Sequence, residues 1–139
     1  MIKALNELEV VTLFVDDLAS TGDFYTRVFG LEVVYQDDEG MVVKFGQLLL
    51  NLLHCEQAPE LVEPATVATS TAGVRALFTI RVADVDAVCA DLQRHGVHLL
   101  NGPIDRPWGR RTAAFADPAG NVWEVAQLLD SDQAENSAT

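Results

Sequence analysis

The stretch from Arg106 to Arg111, Arg-Pro-Trp-Gly-Arg-Arg, contains residue types suited to contact with a small molecule. Trp108 offers a large flat face that can stack on an aromatic or cationic ligand, and Gly109 permits a tight turn beside it. Alternatively, Trp108 packs under this loop and covers the edge of a sheet. We predict ligand contacts at Trp108 and Arg110, with the packing role of the tryptophan as the competing interpretation.

Glu124 is an acid inside an otherwise apolar segment, residues 122–126. A carboxylate in such surroundings needs a hydrogen-bond partner or a proton. It is either a hydrogen-bonded structural acid or a polar anchor for a bound ligand. Arg81 alternates with Leu77 and Thr79, which places it on the same side of its strand as those residues. A salt bridge from Arg81 to Glu124 is the expected structural outcome.

The three histidines are not expected to build a metal or catalytic centre. His95 precedes a glycine at the predicted end of a helix, where a cation suits the helix dipole, and His98 falls in the next predicted strand. His54 ends a strand that contains Asn51, but strand alternation gives it the opposite parity. Only a β-bulge would bring His54 to the same face as Asn51.

Hydrophobic periodicity predicts a strand, a helix and three further strands in the first half of the chain. Asp16 and Asp17 can cap the helix, and Gly30 suits its left-handed end. Residues 37–40 form a hairpin turn between the second and third strands. The predicted elements are the strand Val10–Val15, the helix Ser20–Phe29, and the strands Leu31–Tyr35, Met41–Phe45 and Leu48–Leu53.

The second half repeats this order. Asp84 is the predicted helix cap, Gly96 follows the helix, and residues 117–121, Asp-Pro-Ala-Gly-Asn, form the last turn. The predicted elements are the strand Leu77–Val82, the helix Val85–Leu92, and the strands Val97–Leu100, Arg111–Ala116 and Val122–Leu128. Recurrence of the whole pattern indicates an internal duplication.

These patterns predict an α+β fold of two tandem β-α-β-β-β modules. We expect the modules to form a curved sheet with the helices on its outer face and a concave ligand cup on the other. One domain is expected over residues 1–129, with module one at about 8–55, a linker at about 56–74 and module two at about 75–129. The polar tail, residues 130–139, is expected to be disordered.

Two motifs carry a resemblance to a known superfamily. The first is residues 11–18, Val-Thr-Leu-Phe-Val-Asp-Asp-Leu, followed by Phe24-Tyr25 and Phe29-Gly30-Leu31; the second is residues 117–124, Asp-Pro-Ala-Gly-Asn-Val-Trp-Glu. With the repeat, they resemble the opening and closing signatures of the vicinal oxygen chelate superfamily. That superfamily contains glyoxalases, bleomycin-resistance proteins and extradiol dioxygenases, and the resemblance covers roughly residues 8–129.

The resemblance implies where a metal would be held. Its metal-dependent enzymes use His and Glu side chains at four positions, which fall here on Val10, Asn51, Leu77 and Glu124. Valine and leucine have no lone pair, an amide oxygen is a weak ligand, and a catalytic divalent ion usually needs about three protein ligands. We therefore predict no metal and no cofactor.

Composition excludes several partners. A net charge of −12 argues against binding a phosphate backbone, and no apolar run is long enough to span a membrane. Without a recognisable signal peptide, a cytoplasmic location is expected. Cys55 and Cys89 lack zinc-type spacing and are expected to be reduced, buried thiols. The acidic balance suits a cationic ligand, although surface carboxylates also serve solubility alone.

The Pro-Trp-Gly-Arg loop is most similar to that of the bleomycin-resistance branch. This similarity implies a homodimer whose clefts sequester a cationic antibiotic without metal or catalysis. Phe14 and Phe45 are expected to line the cup, with Phe45 alternatively in the core. The hypothesis is noncatalytic binding of a small, cationic, aromatic molecule. One alternative is an enzyme, a lyase, isomerase or dioxygenase, which is metal-dependent if the ligands lie elsewhere or metal-free with Glu124 as base. Another alternative is a regulatory module with a vestigial cup.

Overall fold

The computed structural model of the protein describes residues 1–129. The chain divides into two compact units at Gly73 and Val74, and each unit contains one four-stranded sheet. No helix within residues 1–129 is long and apolar enough to cross a membrane. The expectation for residues 130–139 lies outside the described residues.

Unit one has the predicted β-α-β-β-β order. Its sheet has the strand order β1-β4-β3-β2, in which β1 runs parallel to β4 and the other neighbours are antiparallel. The elements are β1 (Val10–Val15), α1 (Leu18–Arg27), β2 (Val33–Gln36), β3 (Gly40–Phe45), β4 (Leu48–His54) and α2 (Pro59–Val62), with 3-10 turns at Lys3–Leu5 and Cys55–Gln57. The short helical segments were not predicted, since they carry too few residues for a periodic signal.

Unit two repeats the arrangement with the strand order β5-β8-β7-β6, and β5 runs parallel to β8. The elements are β5 (Leu77–Arg81), α3 (Val85–Arg94), β6 (Leu99–Arg106), β7 (Arg110–Ala116) and β8 (Val122–Leu128). The prediction for β6 was wrong at both ends. His98 precedes the strand, and the strand continues six residues past Leu100 because its pairing with β7 tolerates bulges around Gly102 and Pro103.

The same device begins both main helices. The Asp17 carboxylate accepts a hydrogen bond from the Ser20 amide, and the Asp84 carboxylate accepts one from the Ala87 amide, each at 3.1 Å. These contacts satisfy amides that have no partner inside the helix. The predicted caps are therefore confirmed, although α1 begins two residues earlier than its periodicity indicated.

Strand alternation gives each sheet one face beneath its helix. A side chain at Gly22 of α1 would approach Met41 of β3 to 2.7 Å, so Met41 lies on the helix side of its sheet. In unit two, Gln127 of β8 accepts a hydrogen bond from the Val85 amide of α3. The buried residues of the helix sides include Leu13, Val15, Val43, Leu50 and Leu52 in unit one and Ala113, Phe115, Trp123 and Val125 in unit two. We call the opposite side of each sheet its helix-free face.

The turn between β7 and β8 is organised by one buried carboxylate. Asp117 is 4% exposed, and its Oδ1 accepts hydrogen bonds from the amides of Ala119 and Asn121, both at 2.9 Å. Its Oδ2 accepts a third from the Asn121 side chain at 2.9 Å. The Asp117 carboxylate takes the place of backbone acceptors within the turn.

We predict that Asp117→Ala lowers the free energy of unfolding by about 2 kcal/mol, because it leaves two partly buried amides without their acceptor. Urea denaturation measures this change. The matched control is Asp38→Ala, which changes an exposed turn residue and should alter stability by less than about 0.5 kcal/mol. Equal effects of the two substitutions would contradict the assignment.

Candidate functional site

The helix-free face of unit two brings together three of the seven predicted site residues. Glu124 of β8 is registered with Thr79 of β5 on one side and with Ala114 of β7 on the other. Two residues further along the same strands, Arg81 is registered with Ala126. Registered neighbours in a sheet point to the same side. Arg81, Arg110 and Glu124 therefore share this face, as the alternation predicted.

The partner of Glu124 is a threonine. The Thr79 hydroxyl donates a hydrogen bond to Glu124 Oε1 at 2.9 Å. The expected salt bridge from Arg81 does not form, since no Arg81–Glu124 contact lies within ion-pair distance in the described part of the chain. Thr79 holds the carboxylate in place without neutralising its charge. Its role was missed, although register pairing of the two predicted strands would have indicated it.

A second polar group on this face is built around Arg106. Its Nε donates to the Thr112 hydroxyl at 2.9 Å, and its Nη2 donates to Asn101 Oδ1 at 3.0 Å. Thr112 is 1% exposed, so one end of this network is buried. These contacts fix the guanidinium in one orientation. Sequence reasoning missed the network because it ended β6 at Leu100, before Asn101.

The turn between β6 and β7 presents Trp108. Gly109 has φ +84°, donates to the Arg106 carbonyl at 3.1 Å and accepts from the Leu129 amide at 3.2 Å. Trp108 is 65% exposed, so it does not pack under its own loop. Arg110 is registered with both Arg106 and Leu128, which places it on the helix-free face.

Unit one has a polar pair at the equivalent place. Asn51 Nδ2 donates to the Thr12 hydroxyl at 3.3 Å, and the two residues are registered partners on β4 and β1. Val10 and Phe14 alternate with Thr12 and share its helix-free face, where both are half-buried. Asn51 and Phe14 therefore lie on the predicted side of the sheet.

Phe45 does not line the cup, and the alternative prediction, packing in the core, describes its position. Phe45 alternates with Met41 and Val43 on the helix side of β3, and its ring centroid lies 6.2 Å from that of Phe29. Parity in the strand decides this, because Val42 is the β3 residue registered with Asn51. Phe45 packs at the end of α1, and it does not share a face with Asn51.

The histidines and cysteines have structural surroundings. His54 is registered with Val15 on the helix side, and its Nδ1 accepts from the Glu56 amide at 3.2 Å. His95 Nδ1 lies 2.9 Å from the Asp91 carbonyl. Cys89 is buried as expected, and burial raises its pKa; Cys55 is only half-buried, yet desolvation and then the neighbouring Asp16 carboxylate raise its pKa too.

The side chains present do not fit a divalent metal. Within residues 1–129, no three His, Cys, Asp or Glu side chains lie together as a ligand set. On the helix-free face of unit two, the Thr79 hydroxyl lies beside the Glu124 carboxylate. The residue two positions before Thr79 on β5 is Leu77, which has no ligating atom. A single carboxylate and a hydroxyl fall short of the roughly three protein ligands of a catalytic site.

Comparisons with known proteins agree with this architecture. Residues 7–125 match the model of the Glyoxalase/Bleomycin resistance protein/Dioxygenase superfamily. The chain is 32% identical over 123 residues to the protein YraH of Bacillus subtilis (strain 168), covering 86% of this chain and 96% of that protein. The sequence is therefore related to these proteins over nearly its whole length.

Two solved structures are similar in fold. A glyoxalase/bleomycin resistance protein/dioxygenase from Nocardioides superimposes with a TM-score of 0.80 at 20% identity, covering 90% of this chain and 85% of that one. TnmS3, an antibiotic-binding protein from Streptomyces sp. CB03234, has a TM-score of 0.68 at 29% identity, covering 91% of this chain and 99% of that one. At its lower identity, the Nocardioides structure supports the fold alone.

We predict that protein purified without a metal-affinity tag contains substoichiometric zinc, nickel, manganese and iron, because too few ligating side chains converge. Elemental analysis measures the content, and the melting temperature should not change when EDTA is added. A stoichiometric metal whose removal lowers the melting temperature would show that the ligands lie elsewhere.

Proposed function

Because the chain belongs to the glyoxalase/bleomycin resistance protein/dioxygenase superfamily, we propose that it binds a small aromatic molecule, such as an antibiotic, without transforming it. The observation that carries this proposal is the composition of the helix-free face of unit two. It holds one carboxylate fixed by a hydroxyl, while the turn at its end presents an exposed tryptophan. These are features of a preformed binding surface.

The same face lacks the groups that covalent or acid–base catalysis requires. A general base works in concert with an acid, a nucleophile or a metal that it can reach. The partner of Glu124 is a threonine hydroxyl, and the described strand residues of this face include no histidine, cysteine or lysine. Binding through Trp108, with Glu124 as a polar anchor, uses the residues that are present.

The likeness to TnmS3 supports the same reading, since that protein binds an antibiotic. Extending the likeness to this chain, we propose that it acts by sequestration in the cytoplasm as a homodimer. Phe14 and Asn51 on unit one are proposed as further ligand contacts, because they occupy the helix-free face of their own sheet. The alternative is a metal-free lyase or isomerase with Glu124 as the base.

We predict that at least one compound in a panel of bleomycin-type and planar aromatic antibiotics raises the melting temperature by a few degrees at saturating concentration. Trp108→Ala should weaken the binding of that compound roughly three- to tenfold, because it removes an exposed stacking surface. Calorimetric titration measures the affinity. The control is Leu61→Ala, which changes a side chain in α2 that is as exposed (64%) and should bind like the wild type.

Mass spectrometry of the recovered compound separates binding from catalysis. Unchanged compound at a fixed stoichiometry supports sequestration. Turnover that Glu124→Gln abolishes would instead establish the lyase or isomerase alternative. Failure of every compound in the panel to raise the melting temperature would count against the proposed function as a whole.

A further inference from the structure

Charge is distributed unevenly between the surfaces of unit two. The chain carries 21 acidic and 9 basic residues, yet among residues 74–129 the helix-free face of unit two bears a single carboxylate, Glu124. The other acids of its strands and helix do not lie on this face. Those of α3 lie on the helix or beside it, and Asp105 pairs with Arg111 on the helix side. The face is therefore not acidic, although the chain is.

Three arginines occupy this same face. Arg106 of β6 is registered with Arg110 of β7. Arg81 lies on β5, two strands from β7, and its position along the sheet differs from that of Arg110 by two residues. Neighbouring strands lie about 4.8 Å apart and residues rise about 3.3 Å each, so the backbones of Arg81 and Arg110 are separated by roughly 12 Å. Two arginine side chains can converge on one ligand across that distance.

Within residues 1–129, none of the three arginines forms an ion pair. The ion pairs within residues 1–129 involve Arg27, Arg94 and Arg111. Arg106 donates to neutral oxygens only, and Arg81 and Arg110 form no side-chain hydrogen bond or ion pair with any residue in the described chain.

Arg110 and its neighbour differ sharply in their surroundings. Arg111 points to the helix side, where it binds Asp86 at 3.0 Å and Asp105 at 2.9 Å, and these hydrogen bonds raise its pKa. One residue earlier, Arg110 faces the opposite side with its donors unused. In the described part of the chain, acids therefore pair with Arg111 and none pairs with Arg110.

An open depression adjoins Arg81. It has a volume of about 420 Å³, within the range of small-ligand sites. It is lined by Arg81, Val82, Ala83, Gln127 and Leu128. Leu128 is also the registered neighbour of Arg110. The depression lies at the ends of β5 and β8, and Gln127 lines it from the helix side.

Resting on the proposed function, we infer that the molecule bound at this face carries an oxyanion, a carboxylate, sulfonate or phosphate, held by Arg81 and Arg110 beside the fixed Arg106. Guanidinium groups present paired donors that match such oxyanions. This replaces the cationic ligand expected from the net charge of the whole chain. Net charge averages over all surfaces, whereas a ligand responds to the face that it contacts.

The test uses two dyes that differ by one group. 1-Anilinonaphthalene-8-sulfonate carries a sulfonate, and 1-anilinonaphthalene is its uncharged parent. Fluorescence titration should give a dissociation constant about tenfold lower for the sulfonate, and added salt should reduce the difference. Arg81→Gln and Arg110→Gln should each remove most of the difference while leaving the affinity for the parent dye unchanged.

The control is Arg94→Gln, an equal change in net charge on α3 that should leave both affinities as in the wild type. Arg81 and Arg110 form no side-chain hydrogen bond or ion pair within residues 1–129, so we expect the variants to keep the melting temperature of the wild type, which is measured alongside. Competition with benzoate and with phenyl phosphate then separates carboxylate from phosphate ligands.

The outcomes separate the two proposals. Equal affinity for both dyes, with no effect of Arg81→Gln or Arg110→Gln, would overturn the oxyanion site and leave aromatic binding standing. Weaker binding of the sulfonate than of its parent would have the same meaning. If neither dye binds, both the proposed function and the oxyanion site are overturned.

Discussion

The parallel pairing of the first and last strands in each unit fixes the position of every side chain discussed here. Once Thr12 is registered with Asn51, and Thr79 with Glu124, the two-residue alternation assigns each neighbouring side chain to one face. A helix covers one of those faces, so the other must carry any residue that contacts a ligand. Strand parity therefore determines which side chains can contact a ligand.

Local signals in the sequence were strong enough to predict the fold. The caps at Asp17 and Asp84 and the glycines after both helices each have a purely local cause, and the boundaries of β8 were predicted to the residue. The site was less predictable because its contacts join distant residues. Thr79 and Glu124 are 45 residues apart in sequence, and their hydrogen bond depends on a register that periodicity does not supply.

The errors have identifiable physical causes. Phe45 was assigned by residue type, although its parity with Val43 places it beneath α1. The length of β6 was underestimated because Gly102 and Pro103 resemble a strand end. A Cβ on Gly102 would lie 2.4 Å from the Thr112 carbonyl oxygen, so the glycine instead allows the two strands to approach closely.

The adjacent arginines at 110 and 111 have an evolutionary consequence. Arg111 binds two carboxylates on the helix side, so selection for a stable fold acts on it. Arg110 contributes nothing to that network, and mutation there leaves the ion pairs intact. A substitution at position 111 therefore breaks two ion pairs, whereas one at position 110 breaks none among residues 1–129. A duplicated scaffold of this kind can change its ligand specificity without losing stability.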